Sequence, residues 1–305
     1  MSLRLGIDVG GTNLRVGVFD GLNLLHQQRA NADFKGLCLA HDAHTAWQMI
    51  VHALAEQIKQ TRQSYPSIAE VGIGFPGFIC PQSKAILLSP NLPGLNKVNL
   101  IQPLQDQTGL PIRIENDALC AAYSEYHLSG LQSPASLLFI GLGTGVGGGM
   151  ISHGKPFPGD HGVAMEFGHV IVEPNGRLCG CGNHGCLEQY ASAGGVQQSY
   201  AQNTGQQLMA DEIASLAEQG DKFAIDAYAQ AGRYLGMAIA HAAKIVDIQH
   251  ITLGGGVMNA ASLILPSLHQ QLTQDLIPVL RGALNIRVST ADDIAGMLGA
   301  ALLNR

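Results

Sequence analysis

Charge is scarce in this chain. Only 13% of its 305 residues are Asp, Glu, Lys or Arg, against 46% hydrophobic residues, and no run of Lys or Arg occurs. A net charge of −6 works against binding to nucleic acid or an anionic membrane surface, both of which call for a basic face. Aromatic residues make up 5%, with a single Trp, so the core is expected to be aliphatic, with Ala and Gly filling the close approaches. Long apolar runs are missing as well. Each is broken by Gly, His or charge well before the roughly 20 residues a membrane span needs. The opening Met1-Ser-Leu-Arg-Leu-Gly-Ile leads straight into a strand without the zones of a signal peptide, and the expectation is a cytoplasmic protein. No long linker or low-complexity segment is evident, and the length suits two domains or lobes.

Cysteine is sparse but clustered. Cys38, Cys80 and Cys120 stand alone and read as small apolar residues, whereas the segment from Glu166 to Glu188 runs E-F-G-H-V-I-V-E-P-N-G-R-L-C-G-C-G-N-H-G-C-L-E. It gathers His169, Cys179, Cys181 and Cys186. Thiolates and imidazole in a closed set of four suit a structural Zn²⁺, and Gly180, Gly182 and Gly185 allow the tight turns that aim them at one point. The C-x-C spacing is tighter than the common C-x-x-C, and a disulfide knot or chance clustering is the alternative. Disulfides are rare in a reducing cytosol, which favours metal.

Two stretches share a strand–glycine tip–strand form. The first is Leu3–Val9, Gly10-Gly11-Thr12-Asn13, Leu14–Phe19; the second is Ala135–Gly141, Gly143–Gly149, then a strand through Ile151. Backbone N–H groups on such tips approach phosphate oxygens closely because no Cβ intervenes, and Asp8 ends the first strand where it can hold a hydrated Mg²⁺. One glycine hairpin is mostly a turn; two in one chain suggest an internally duplicated architecture. Two other motifs fail on context. Gly143-x-Gly145-x-x-Gly148 is followed by a strand where a dinucleotide fingerprint needs a helix, and Gly149-x₄-Gly154-Lys155 continues with Pro156 where a P-loop needs Ser or Thr.

Between the hairpins, Trp47, Ile50, Val51, Leu54 and Ile58 give helical periodicity over His44–Gln60. Val71–Phe75 is a buried strand, and a polar, Pro-rich loop to Asn96 follows it and carries Asn91; loops of that length are binding elements or disordered. Leu100–Thr108 reads as a helix, Pro111–Ile114 as a strand, and a helix then runs to about His127. Asp117 falls at that junction. It is either a helix N-cap or a general base at the carboxyl end of a strand, where ligands collect in α/β folds. Further helices are expected over Ala193–Asn203, Ala210–Gln219, Phe223–Val246, Leu263–Leu280 and Ala291–Leu303, with strands at Ile251–Leu253 and Ile286–Val288. Gly236, Ala238 and Ala240 permit close packing of the long helix. Gly254-Gly255-Gly256 either lets a flat ring lie on the backbone or is a plain strand-to-helix turn.

Taken together, Asp8–Asn13, Asn116-Asp117, Gly143–Gly149, Gly254–Val257 and above all E-x-G-H followed by C-x-C-G-x-x-G-C-x-E resemble the ROK family (repressors, open reading frames, sugar kinases) over nearly the whole chain. The resemblance implies an α/β, actin-like (ribonuclease H-like) two-lobe ATPase fold with an interlobe cleft and a structural zinc loop. Residues 1–117 with 291–305 would form the small lobe and 118–290 the large one. It implies ATP with Mg²⁺ and a hexose phosphorylated at its 6-hydroxyl. Asp117 would be the base, with Gly77, Asn91, Asn116, Asp117, Glu166, His169 and Glu188 on the sugar. Asp8, Gly10, Gly11, Thr12, Asn13, Thr144, Gly145, Gly254, Gly255 and Gly256 would hold the nucleotide. One nitrogen of His169 would bind zinc while the other reaches the sugar. Two departures stand out: Asn13 where many members carry Lys, and Met165 where glucokinase-like members usually have Gly. Glucose is the first choice of sugar. N-acetylglucosamine, allose, fructose, mannose and N-acetylmannosamine are alternatives. The family's repressors carry a DNA-binding segment ahead of the first hairpin, which here begins at Asp8, and a non-catalytic sugar-binding regulator is the reading from another class. Dimers are common in the family, so a homodimer or homotetramer is expected.

Overall fold

The computed structural model describes residues 2–291 and 294–303. Contacts divide these into two compact units. The first comprises the described residues of Met1–Ala135, Gly149–Ala164 and Asp293–Arg305, and the second Ser136–Gly148 and Met165–Asp292. This division keeps the helix after Asn116 and the segment 149–164 with the N-terminal unit, where the sequence reading drew its line at residue 117.

In the first unit, β1 (Leu3–Val9), β2 (Asn13–Asp20) and β3 (Asn23–Asn31) form an antiparallel meander. After α1 (Phe34–Ala40) and α2 (Ala43–Ser64), β4 (Ile68–Phe75) returns parallel to β1. Period-two alternation assigns the two faces of the sheet. Leu5, Ile7 and Val9 of β1 and Val71, Ile73 and Phe75 of β4 are buried in a core with Ile50, Leu54 and Ile58 of α2. The opposite face of these two strands carries Gly6, Gly72 and Gly74 alongside Arg4, Asp8 and Glu70.

The loop expected between Pro76 and Asn96 is instead a three-stranded sheet, β5 (Phe78–Ile79), β6 (Ile86–Leu88) and β7 (Asn96–Val98). Its strands are too short for a periodicity signal, and Ile79, Ile86, Leu92 and Leu95 anchor it in the core. α3 (Ile101–Thr108) and β8 (Ile112–Asn116) follow, and β8 pairs parallel to β4 as the sheet's edge. α4 (Asp117–Leu128) leaves directly from β8.

The second sheet is built from β9 (Leu137–Leu142), β10 (Val146–Ser152), β11 (Lys155–Pro156), β12 (His250–Gly254) and β13 (Asn285–Val288). Its order, β11-β10-β9-β12-β13, matches β3-β2-β1-β4-β8 position for position. In each, a hairpin's first strand lies beside two parallel strands. This is the duplication that the paired glycine tips announced.

The second unit holds α5 (Glu188–Ala191), α6 (Ala193–Thr204), α7 (Ala210–Glu218), α8 (Lys222–Val246) and α9 (Ala261–Asp275). Gly232 and Gly236 of α8 bring it against α9, where a side chain at Gly232 would strike Ser267 and the Ile264 carbonyl. α9 ends at Asp275, five residues short of expectation, and Pro278–Leu280 forms a separate turn of 3₁₀ helix. α10 (Ala295–Leu302) belongs to the first unit and is buried along its length. The first three residues of the helix expected from Ala291 include two outside the described set. α10 covers the opposite face of the first sheet: side chains at Gly6 and Gly72 would collide with the Met297 and Ala300 carbonyls, and one at Gly299 with the Cys120 carbonyl of α4.

Candidate active site

In the first unit, the β1–β2 tip is closed by the Gly10 N–H donating to the Asn13 carbonyl at 2.8 Å. The segment before α1 braces it from outside, with Ala32 N–H on the Thr12 carbonyl and Lys35 N–H on the Gly11 carbonyl at 2.9 Å. Asn13 Nδ2 donates to Thr12 Oγ1 at 3.1 Å. Asp8, next to last in β1, has its carboxylate against Gly296 of α10 and 3.7 Å from Arg15 Nη1. It keeps only 21% of its side chain in solvent. Burial raises its pKa above the ordinary carboxylate value, with Arg15 opposing.

The β8–α4 junction shows which residue caps the helix. Asn116 is the N-cap: its Oδ1 accepts from Leu119 N–H at 3.0 Å while its Nδ2 donates to the Gly77 carbonyl at 3.1 Å. Asp117 is therefore the first residue of the helix, with Oδ1 accepting its neighbour's N–H (Ala118) at 2.8 Å. A carboxylate at this end of a helix meets the positive end of the dipole. Gly77 has φ 152°, and a Cβ there would stand 2.6 Å from the Leu88 carbonyl. Asn91 is exposed in the β6–β7 loop, whose base is tied down by Ser89 Oγ donating to the Pro76 carbonyl.

In the second unit, Glu188 opens α5 and reaches the second tip, where Val146 N–H donates to its Oε2 at 3.1 Å. The tip repeats the closure of the first, Gly143 N–H to the Gly145 carbonyl at 2.9 Å, and Ala193 N–H holds the Gly143 carbonyl at 2.9 Å. Thr144 is exposed at its apex. Glu166 lies 3.7 Å from His169 Nε2. Burial raises the Glu166 pKa, His169 lowers it and Glu188 raises it further.

The other ring nitrogen of His169 turns to the cysteines: Nδ1 is 3.7 Å from Cys179 Sγ, and Cys181 Sγ is 3.6 Å from Cys186 Sγ. The four donor atoms all lie within 4.8 Å of one another. Tetrahedral bonds of about 2.3 Å place sulfur ligands about 3.8 Å apart, so this spacing fits a zinc-sized cation. It is far longer than the S–S bond of about 2.05 Å, and all six cysteines are free, which removes the disulfide alternative. A Cβ at Gly185 would run into the Glu173 carbonyl, and Gly182 and Gly185 have φ of 91° and 79°. Arg177 stitches the knot to its surroundings, donating to the Gln189 and Gly195 carbonyls and to Ser199 Oγ, with its guanidinium 4.5 Å above the Tyr190 ring.

Gly254 and Gly255 have packing reasons of their own. A Cβ at Gly254 would sit 2.8 Å from Phe139, and one at Gly255 would meet the Leu142 backbone. Only Gly256 faces open space, with no atom within 4 Å of where a Cβ would stand. Three features escaped the sequence reading: Lys35, exposed beside the first tip, Gly296 against Asp8, and an ion pair between Lys84 and Glu115 at 2.8 Å.

No helix among the described residues is long and apolar enough to cross a membrane. The pattern that defines the ROK family matches residues 4–305. The chain is 31% identical over 324 residues to a glucokinase of Streptomyces coelicolor, covering 100% of this chain and 98% of the relative. It is 32% identical over 313 residues to an N-acetyl-D-glucosamine kinase of Salmonella typhimurium, at 98% of both. Among solved structures, the ROK family glucokinase of Streptomyces griseus in complex with glucose and AMPPNP superposes with a TM-score of 0.80 at 30% identity, covering 98% of each chain. The duplicated sheets are those of the actin-like ATPase fold. On sequence and fold alike, the chain belongs to the ROK family, as one of its sugar kinases.

Proposed function

We propose that this protein is a cytoplasmic, ATP-dependent hexose kinase that transfers the γ-phosphoryl group to the 6-hydroxyl of glucose. The observation that carries the reading is the division of labour at the β8–α4 junction: Asn116 caps the helix, so Asp117 is not needed as the cap. In this reading Asp117 takes the proton from the sugar hydroxyl as the phosphoryl group arrives in line, a contribution of about 10²–10⁴-fold. In the same reading Gly77, Asn91, Asn116, Glu166, His169 and Glu188 are the residues that supply the sugar's hydrogen bonds.

The two tips offer the backbone N–H groups of Gly11, Thr12, Asn13, Thr144 and Gly145 to phosphate, while the Gly10 N–H closes the first tip on the Asn13 carbonyl, and Gly256 leaves open space for the nucleoside beside Gly254 and Gly255. Asp8 would hold a hydrated Mg²⁺, which when bound would supply charge neutralisation of the phosphate oxygens. His169, Cys179, Cys181 and Cys186 would hold Zn²⁺, which when bound would stiffen the segment between Glu166 and Glu188. His169 Nε2 stays on the side of Glu166, as a sugar contact requires.

N-acetylglucosamine is the second reading, favoured by the 32% identity to the Salmonella typhimurium kinase. A coupled ADP-release assay over a hexose panel tests both: the proposal expects the highest kcat/KM with glucose, and no ADP release with any hexose would overturn it. The chain is proposed to work as a homodimer or homotetramer, which light scattering of the purified protein decides.

A further inference from the structure

A cavity of about 500 Å³ opens on the first unit, a volume typical of small-molecule sites. Its polar lining is Lys84, Gln105, Arg113 and Glu115, and Pro156 and Pro158 are among its apolar walls. β8 is the edge strand of its sheet, and Arg113 and Glu115, two residues apart, share one face of it. Glu115 is 5% exposed and both its oxygens are engaged. Oε2 accepts from Lys84 Nζ at 2.8 Å and Oε1 from the Asn116 N–H at 3.0 Å. Arg113, by contrast, is exposed and makes no hydrogen bond or ion pair among the described residues. The cavity therefore presents two cations against one carboxylate that is already matched. Lys84 is held at the tip of the β5–β6 hairpin with φ 55°, its N–H on the Cys80 carbonyl at 2.9 Å.

We propose that this cavity is a regulatory site for a phosphomonoester, held by Arg113 and Lys84, whose binding draws Lys84 away from Glu115 and slows turnover. The planar fork of a guanidinium matches phosphate oxygens, and proline rings suit the C–H face of an attached sugar. A buried carboxylate that loses its cation is left uncompensated and is driven to move. Glu115 also holds the backbone of Asn116, the cap that sets Asp117, so its displacement reaches the candidate base. The kinetic half of this proposal rests on the reading of Asp117 as the base; the binding half does not.

The test is calorimetric titration of the full chain with inorganic phosphate and with glucose 6-phosphate, in wild type, Arg113→Ala and Arg113→Lys, with thermal melts to confirm folding. Wild type is expected to show a binding event that Arg113→Ala weakens at least tenfold and Arg113→Lys largely restores. Any binding at the reaction centre is common to all three proteins and cancels in the comparison. Preference for the sugar ester identifies the phosphorylated product as ligand, and equal binding identifies free phosphate; both support the site. Added glucose 6-phosphate should lower kcat at saturating sugar in wild type but not in Arg113→Ala. Titrations that do not differ between wild type and Arg113→Ala, or no binding at all, overturn the site, whatever the protein's kinase activity. Binding as expected with kcat unchanged overturns the regulatory role.

Discussion

Gly145 and Glu188 share one small space. The Glu188 carboxylate accepts the Val146 N–H at 3.1 Å, and a Cβ on Gly145 would stand 2.5 Å from the same oxygen. The glycine of the second tip is thus required by the carboxylate that reads the sugar in the proposed site. Gly145→Ala should displace that carboxylate and break a charge-assisted hydrogen bond worth about 1.5–3 kcal/mol. The expected result is a rise of about tenfold or more in sugar KM, measured by steady-state kinetics at saturating nucleotide. A change confined to nucleotide KM would show that Gly145 serves phosphate alone.

Asp8 gives a pH signature. Burial raises its pKa against the opposing pull of Arg15, so the folded protein holds this proton more tightly than the unfolded chain. Its contribution to stability is complete below the ordinary carboxylate pKa of about 4 and is lost as pH rises through the raised folded value. Without magnesium nucleotide, Asp8→Asn should melt higher than wild type near neutral pH, and the difference should close as pH falls toward that range. The same variant should lose turnover. Melting below wild type at neutral pH would contradict the burial argument.

The metal knot is tested by content and by affinity together. The purified protein should carry one zinc per chain, and Cys181→Ser, at the exposed ligand, should lose most of it. Sugar KM should rise before global unfolding is seen by circular dichroism, because in the proposed site the metal would fix the segment that bears Glu166 and Glu188. Full metal loss with an unchanged sugar KM would separate the knot from the sugar site.

Gly72 supports α10 against β4, and a side chain there meets the Ala300 carbonyl, which is backbone and cannot rotate away. Gly72→Ala should therefore destabilise by at least the roughly 1–3 kcal/mol of core overpacking. Thermal melting reads this directly, and a melting temperature equal to wild type would show that α10 shifts freely.

Much of the candidate site was legible because its chemistry demands unusual residues close together in sequence. The Cys/His knot, the two glycine tips and the Asn116-Asp117 junction are all local, and each appears where the residues placed it. The β2–β3 hairpin was missed although Asp20-Gly21 is a strong turn signal. β5, β6 and β7 were hidden because strands of two or three residues carry no period. The reasons for Gly6, Gly72, Gly145 and Gly255 were illegible, since each is set by a backbone or carboxylate distant in sequence. The same holds for Lys84 and Glu115, 31 residues apart, and for Lys35, brought to the first tip by a backbone hydrogen bond to Gly11.

The most direct test of the account compares wild type and Asp117→Asn in the coupled ADP-release assay with glucose varied at saturating magnesium nucleotide. Asn preserves the size of the side chain and an oxygen to accept the Ala118 N–H, but cannot take the proton of the sugar hydroxyl. The account predicts kcat lower by about 10²–10⁴-fold with sugar KM nearly unchanged. An Asp117→Asn enzyme that keeps more than about half of wild-type kcat, well outside that range, would remove Asp117 from the chemistry and contradict the account.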